Sequence, residues 1–311
     1  MRRALGLSIV LAFPALAHAG DPKFEYGKAE EVKDVKDVEW VATAEAGVVF
    51  TTGNSETTTA TGGVKASRKT GKNKLALEAS AAYAKSGARV LLDQNGNGMI
   101  DNASEIQDVQ TITAETLASR LRYDRFLTEL NSLFVAALAS RDTPAGKELV
   151  LGAQAGYSRS LRKTATSLTL GEFGYDYSHE DLVTVDVPSV SIHSARAFIG
   201  HHATMTEGAD LDASLEVLTN LNSENITTED DNGNPYDGGP FQDTRVNAKI
   251  SISAKIGQNL AFQSAIEVKY DRRPGPLPVK NLAMGFTPAA DTLDTIMKAS
   301  FIYTFVAPTK K

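Results

Sequence analysis

Three observations predict an all-β chain closed into a transmembrane antiparallel β-barrel of about twelve strands. They are twelve segments of alternating polarity, a rhythm of short and long connections, and a last segment that ends in an aromatic residue near the C-terminus. In that last segment Met297, Ala299, Phe301, Tyr303 and Phe305 fall on one face of a period-2 strand. Lys298, Ser300 and Thr304 fall on the other, with Ile302 the single apolar exception. Such a strand turns apolar residues to lipid and polar residues to a lumen. A soluble sandwich could bury the same face, so the remaining segments decide.

The alternating segments run from Val41 to Thr51, Thr57 to Arg68, Leu75 to Lys85, Ile112 to Phe126, Leu133 to Arg141 and Leu149 to Leu161. They continue from Ser167 to Ser178, Ser194 to Ala203, Leu211 to Leu221, Arg245 to Ile256, Leu260 to Asp271 and Leu293 to Phe305. Each is long enough for the roughly 9 to 11 residues of a tilted membrane strand. An even count returns both ends of the chain to one side.

The connections test this count independently, because barrels of this kind have short turns on the periplasmic side and longer loops outside. Lys69 to Lys74, Leu127 to Ser132, Arg162 to Thr166, Thr204 to Asp210 and Gly257 to Asn259 are short. Ser86 to Thr111, His179 to His193, Asn222 to Thr244 and Arg272 to Thr292 are long, Asp142 to Glu148 is moderate, and the turn around Gly53, Asn54 and Ser55 is tight. A sandwich has no reason to sort its turns by side.

The faces agree. In the tenth segment Val246, Ala248, Ile250, Ile252 and Ala254 oppose Arg245, Asn247, Lys249, Ser251, Ser253 and Lys255. Phe50, Tyr83, Tyr123, Tyr157, Tyr175, Tyr177, Tyr270, Tyr303 and Phe305 gather near segment ends, as interfacial girdles do.

Residues 1–19 have the layout of a secretory signal peptide: Arg2 and Arg3, an apolar run from Ala4 to Ala17, and Ala17-His18-Ala19 before Gly20. Residues 20–39 read as a charged periplasmic segment. Val32, Val35 and Val38 recur there at spacing three and allow about two turns of amphipathic helix. Residues 40–305 are the expected barrel and 306–311 a C-terminal tail. Without cysteine the chain offers neither a disulfide scaffold nor a lipid-bearing thiol. Downstream of the signal no apolar run approaches the roughly 20 residues of a spanning helix. The formal charge of −6 becomes two units more negative once Arg2 and Arg3 leave with the signal, which argues against nucleic acid as a partner.

Several blocks carry a family resemblance. They are Glu39-Trp40, Ala44-Glu45-Ala46-Gly47, Thr52-Gly53-Asn54-Ser55, Arg122-Tyr123-Asp124-Arg125-Phe126 and Leu151-Gly152-Ala153-Gln154-Ala155-Gly156-Tyr157. Gly174-Tyr175-Asp176-Tyr177 with Glu180-Asp181, Lys269-Tyr270-Asp271 with Pro274 and Pro276, and Tyr303-Thr304-Phe305 complete them. In this order, from about Val38 to Phe305, they resemble the family described as salt-induced outer membrane proteins, a domain of unknown function. The resemblance implies an outer-membrane barrel with no established activity. It also implies that outer-membrane lipids and lipopolysaccharide surround the chain, and that the C-terminal strand is what the barrel insertion machinery receives.

One loop looks like a calcium site. Asp93, Asn95, Asn97 and Asp101 stand at positions 1, 3, 5 and 9 of a calcium-loop pattern, with Gly98 at position 6 and the Met99 carbonyl at position 7. Position 12 is Ser104, and the carboxylate of Glu105 comes one place late, so a Ca²⁺ ion would be held weakly. Asn-Gly turns alone also account for the loop. A second acidic loop, Glu229-Asp230-Asp231 through Asp237, could meet divalent ions bridging lipopolysaccharide phosphates. No other cofactor is expected.

No enzyme is expected either. Membrane phospholipase barrels carry a serine and a histidine on the outer rim, and Ser191 or Ser194 beside His193 is formally available for a hydrolase. No orienting Asn or Asp stands out in the sequence. His201 and His202 are adjacent on a strand and face opposite sides, so they cannot share a metal. The expected lumen carries both signs of charge. Glu45, Glu172, Asp176, Glu216 and Glu267 stand against Lys65, Arg120, Arg122, Lys249, Lys269 and Lys298. Two functions follow. If water fills the lumen, the barrel is a narrow diffusion channel for small solutes or ions. If the charges pair across it, the barrel is a non-conducting structural or stress-related envelope protein. The small residues Ala76, Ser80, Gly152, Gly156, Gly174 and Ser214 favour the channel.

Overall fold

The computed structural model describes residues 35–51, 55–91, 106–184, 189–224, 238–276, 289 and 292–306. They form twelve strands: β1 (Val35–Thr51), β2 (Ser55–Gly71), β3 (Asn73–Leu91), β4 (Ile106–Phe126), β5 (Asn131–Asp142) and β6 (Lys147–Lys163). The remaining six are β7 (Ser167–Leu182), β8 (Val190–Thr206), β9 (Ala209–Asn220), β10 (Thr244–Lys255), β11 (Leu260–Asp271) and β12 (Leu293–Val306). Every strand pairs antiparallel with its sequence neighbours, and β1 pairs with β12 from Val41 opposite Val306 to Ala46 opposite Phe301, which closes the barrel. Closure removes the free edges that an open sheet would present. Among the described residues there is no helix.

The twelve expected segments are the twelve strands; most ends lie within four residues of the expected ones, but β1 and β4 start six residues earlier and β3 ends six residues later. The structure corrects the N-terminal boundary: β1 starts at Val35, so Val35 and Val38 are strand rather than helix or tail. Val35 pairs with Gly71 and Glu39 with Lys69, and a register shift between these pairs absorbs the irregularity. β-Branched residues beside a waiting strand gain ladder hydrogen bonds that an isolated two-turn helix could not match. Val32, the signal segment and residues 307–311 lie outside the described residues.

Period-2 alternation sorts the side chains. Leu117, Leu121, Val135, Leu151, Phe173, Ile250, Ile252, Phe301 and Phe305 are exposed on the outer surface, while Arg120, Phe134, Gln154, Glu172, Arg196 and Glu216 are buried inside. Nine exposed large apolar residues on one closed surface would be a serious liability in water, and they are the natural surface in lipid. A bulge at Ala84 and Lys85 skips Thr113, which keeps Ala114 inward yet turns Ile112 outward.

The turn-rich end is compact. Gly71 and Lys72 make a two-residue hairpin in which Gly71 has φ +52°, the left-handed conformation such a first turn position requires. At this end the Tyr123 hydroxyl donates to Asn73 Oδ1 at 2.7 Å and the Tyr157 hydroxyl to Asn131 Oδ1 at 2.5 Å. Both rings thus lie against the wall with their polar tips anchored at the turns, the arrangement of an interfacial girdle.

Candidate functional site: the charge-paired interior

Inward positions on β4, β7, β8 and β9 stand at similar heights above the short turns, and there they build a chain of charge-assisted hydrogen bonds. Glu172 on β7 is its centre. Its Oε1 accepts from Arg122 Nη2 at 2.6 Å, and its Oε2 accepts from Arg196 Nη1 at 2.9 Å. Arg196 continues the chain by donating from Nε to Glu216 Oε1 at 2.7 Å, and Asn247 Nδ2 on β10 donates to Glu216 Oε2 at 3.3 Å. At the other end Arg122 donates from Nε and Nη2 to Asp124, at 3.0 and 2.7 Å. Because β5 and β6 separate β4 from β7 in the wall, the Arg122 to Glu172 bond is a chord across the lumen. Arg196 is fully buried. Short charge-assisted bonds of this kind are about twice as strong as neutral ones, and a buried charge persists only when so paired.

A second chain lies next to the first. Arg120 Nη2 donates to Gln154 Oε1 at 3.3 Å, and Gln154 Nε2 donates to Asp176 Oδ1 at 2.7 Å.

An aromatic floor supports both arginines. The Phe134 ring lies 4.1 Å from the Arg122 guanidinium carbon and 5.6 Å from that of Arg196, and Phe198 lies 5.4 Å from Arg196. Phe134 reaches this place because Gly156 and Gly174 face each other across β6 and β7. A Cβ on Gly156 would come within 2.8 Å of the ring and 2.6 Å of the Phe173 carbonyl oxygen. The space these glycines leave is therefore a seat for an aromatic side chain rather than open lumen.

The opposite arc is built differently. Glu267 Oε1 is shared by Lys249 Nζ at 3.1 Å and Lys298 Nζ at 3.0 Å, with Lys269 buried on the same strand. Glu45 lies across Gly63. Toward the short turns a cavity of about 360 Å³ opens, lined among others by Lys65, Lys249, Lys255, Glu78, His202 and Asp212. His202 faces this cavity and bonds Asp212 Oδ1 at 2.7 Å, whereas His201 bonds Thr169 Oγ1 at 2.9 Å on the other face.

At the end of the long connections lies a third group of ion pairs. Glu180 pairs with Lys147 at 3.0 Å and with Arg245 at 2.8 Å, Arg245 also meets Asp243 at 3.0 Å, and Arg273 meets Glu224 at 3.4 Å. Burial pushes the Asp243 carboxyl up from 3.8 to about 7 against the pull of Arg245, and Asp271 and Glu224 add to the rise. Burial raises Glu224 in the same direction, against Arg245 and Arg273.

All eleven expected lumen residues point inward. The structure joins Arg122, Glu172 and Glu216 through Arg196, joins Arg120 to Asp176 through Gln154, and joins Lys249, Glu267 and Lys298 directly. Glu45 and Lys65 lie on the β1 to β2 wall. Phe134, Gln154, Asp124 and the Glu180 to Arg245 group are not among the expected residues. A lone Phe134 between Ser132 and Ala136 on a polar face was the sequence signal for the first of them. The loop from Asp93 to Glu105 and the acidic stretch Glu229 to Asp237 lie outside the described residues. Among the described residues no group of three or more His, Cys, Asp or Glu side chains could hold a metal ion.

No curated protein matches the sequence. Among solved structures the chain is similar to OmpT of Vibrio cholerae expressed in the outer membrane, at 9% identity over 88% of this chain and 100% of that one, with a TM-score of 0.37. It is similar to the translocator domain of the autotransporter NalP from Neisseria meningitidis, at 12% identity over 86% and 87% of the two chains, with a TM-score of 0.36. It is also similar to the anion-selective porin from Comamonas acidovorans, at 8% identity over 86% and 97%, with a TM-score of 0.35. In sequence, the family described as protein of unknown function, DUF481, matches residues 44–233, more than half of the chain, and the protein belongs to that family.

Proposed function

We propose that the protein is an outer-membrane barrel whose lumen is sealed at mid-height by paired charges, a non-conducting envelope component rather than an open pore. The observation that carries this reading is the chord from Arg122 through Glu172 and Arg196 to Glu216, with a fully buried guanidinium at its centre. A water-filled channel would hydrate that group. Twelve strands enclose a lumen between the eight-stranded barrels that side chains fill and the sixteen-stranded ones that leave a channel, so the interior side chains decide. The outward apolar belt and the sorting of short and long connections support the outer membrane as the location, with lipid and lipopolysaccharide around the wall. Phe305, exposed at the end of β12, is the terminal aromatic offered to the insertion machinery.

The test is conductance of the purified, refolded protein in planar bilayers. The parent should give no stepwise openings, and Glu172→Ala should introduce them. Well-resolved unitary steps from the parent would overturn the sealed reading. They would favour the second one, a narrow diffusion channel, for which the 360 Å³ cavity and the small residues Ala76 and Ser214 in its lining speak.

A further inference from the structure

On the outer surface of β7 and β8, near their ends at the long connections, the odd-numbered residues form a group that the sealed lumen does not use. Ser191 and His179 are register partners, and the Ser191 hydroxyl lies 2.9 Å from His179 Nδ1. Two residues along β7 on the same face, Asp181 Oδ1 lies 3.6 Å from His179 Nε2. That separation is an electrostatic contact, longer than a hydrogen bond. It favours the proton on Nε2, which leaves Nδ1 as the acceptor facing Ser191, and it steadies an imidazolium once one forms. The side chains of His179 and Asp181 are 37% and 47% exposed, so all of this chemistry faces outward.

The depth of the group is as telling as its composition. One rung nearer the midplane stand Tyr175, Tyr177 and His193. Tyr175 bonds His193 Nδ1, and the Tyr177 ring packs 5.1 Å from the His193 ring. Interfacial aromatics mark where hydrocarbon gives way to headgroups. Ser191 and His179 therefore sit at the level of a lipid's ester linkages. Leu151 and Leu149, the β6 register partners of His179 and Asp181, are exposed beside them and offer an apolar track for an acyl chain.

We propose that Ser191, His179 and Asp181 form a hydrolytic site for the acyl esters of lipids in the surrounding leaflet. Ser191 Oγ attacks the ester carbonyl carbon as its proton passes to His179 Nδ1. The Tyr177 hydroxyl, 3.4 Å from Ser191 Oγ, is the donor nearest the developing oxyanion. The carbonyl carbon to alkoxy oxygen bond then breaks, the leaving alcohol takes the proton from His179, and an acyl-serine remains. Water, deprotonated by His179, attacks that ester, releases the fatty acid and restores Ser191. Asp181 acts through His179 as a positioning residue. This inference is independent of whether the lumen conducts.

The experiment uses the full-length barrel in mixed micelles of detergent and phosphatidylethanolamine, with a fluorophosphonate probe for the serine and release of labelled fatty acid for turnover. Folding of every variant is checked by its heat-modifiable mobility. The parent should be labelled on Ser191, located by mass spectrometry, and should release fatty acid. Ser191→Ala and His179→Ala should each reduce both signals at least a hundredfold while remaining folded. Asp181→Asn should reduce them about tenfold and shift the pH profile of labelling, with recovery in Asp181→Glu. The inward Ser194→Ala should change nothing. A folded parent that neither labels nor releases fatty acid overturns the proposal, and so does labelling that survives in Ser191→Ala.

Discussion

From β4 to β9 the inward positions carry Arg120, Arg122, Phe134, Gln154, Glu172, Arg196 and Glu216, and these side chains meet one another across the lumen. From β10 round to β3 they carry Lys249, Ser251, Lys298, Lys65 and Lys74, and all of these but Lys298 line the cavity of about 360 Å³ near the short turns, together with His202 and Asp212 from β8 and β9. Both arcs follow the same apolar-out, polar-in alternation and both mix charges of either sign. The difference lies in which cation and which neighbours each arc uses. A guanidinium is planar and can bridge two carboxylates while its face rests on an aromatic ring, as Arg196 does between Glu172 and Glu216 beside Phe134 and Phe198. An ammonium is a compact, strongly hydrated point charge. Lys249 and Lys298 converge on the single carboxylate of Glu267 and leave room for water beyond it.

The largest test of this contrast is Glu172→Ala. It strips the shared carboxylate from two buried arginines and should cost about 3 to 5 kcal/mol, read from urea unfolding of the refolded barrel. Ile250→Lys puts a charge on the lipid side of the open arc and should cost about 2 to 4 kcal/mol near the midplane in the same assay. Gly156→Val strikes the packed arc without touching a charge. Its side chain would meet the Phe134 ring and the Phe173 carbonyl, so a loss of about 1 to 3 kcal/mol is expected. Lys298→Gln removes a partly exposed cation from the open arc and should cost under about 1 kcal/mol. If Lys298→Gln cost as much as Glu172→Ala, the two arcs would be energetically alike and the contrast would fail.

The smallest effect is expected at the end of the long connections, where Asp243 is raised to about 7 and Glu224 is raised with it. A carboxyl whose folded pKa exceeds its unfolded value binds its proton more tightly when folded. Its contribution is full below about 4 and is lost as pH rises toward about 7. Hydrogen exchange of the amides around Asp243 should therefore be slower at pH 5 than at pH 8, beyond the intrinsic change in exchange chemistry. Asp243→Asn should flatten that difference.

Strand number, the positions of most strand ends and the inward direction of the eleven lumen residues are legible in the sequence. Period-2 alternation is a local rule that each strand obeys by itself, and turn residues such as Gly71-Lys72 set the register locally. The start of β1 at Val35 is not legible, because spacing-three valines fit a helix until β2 offers them a partner. The fate of the small inward residues is not legible either. Gly156 and Gly174 read as open space along the chain, and only closure of the sheet brings Phe134 over them. Serine at 191 and histidine at 179 lie twelve positions apart in sequence, and the β7 to β8 register alone makes them neighbours. The chain by itself determined which side of the wall most residues face, with Ile112 beyond the β4 bulge an exception. Only the closed barrel decided which inward residues meet across the lumen, because those distances depend on the whole circumference rather than on any one strand.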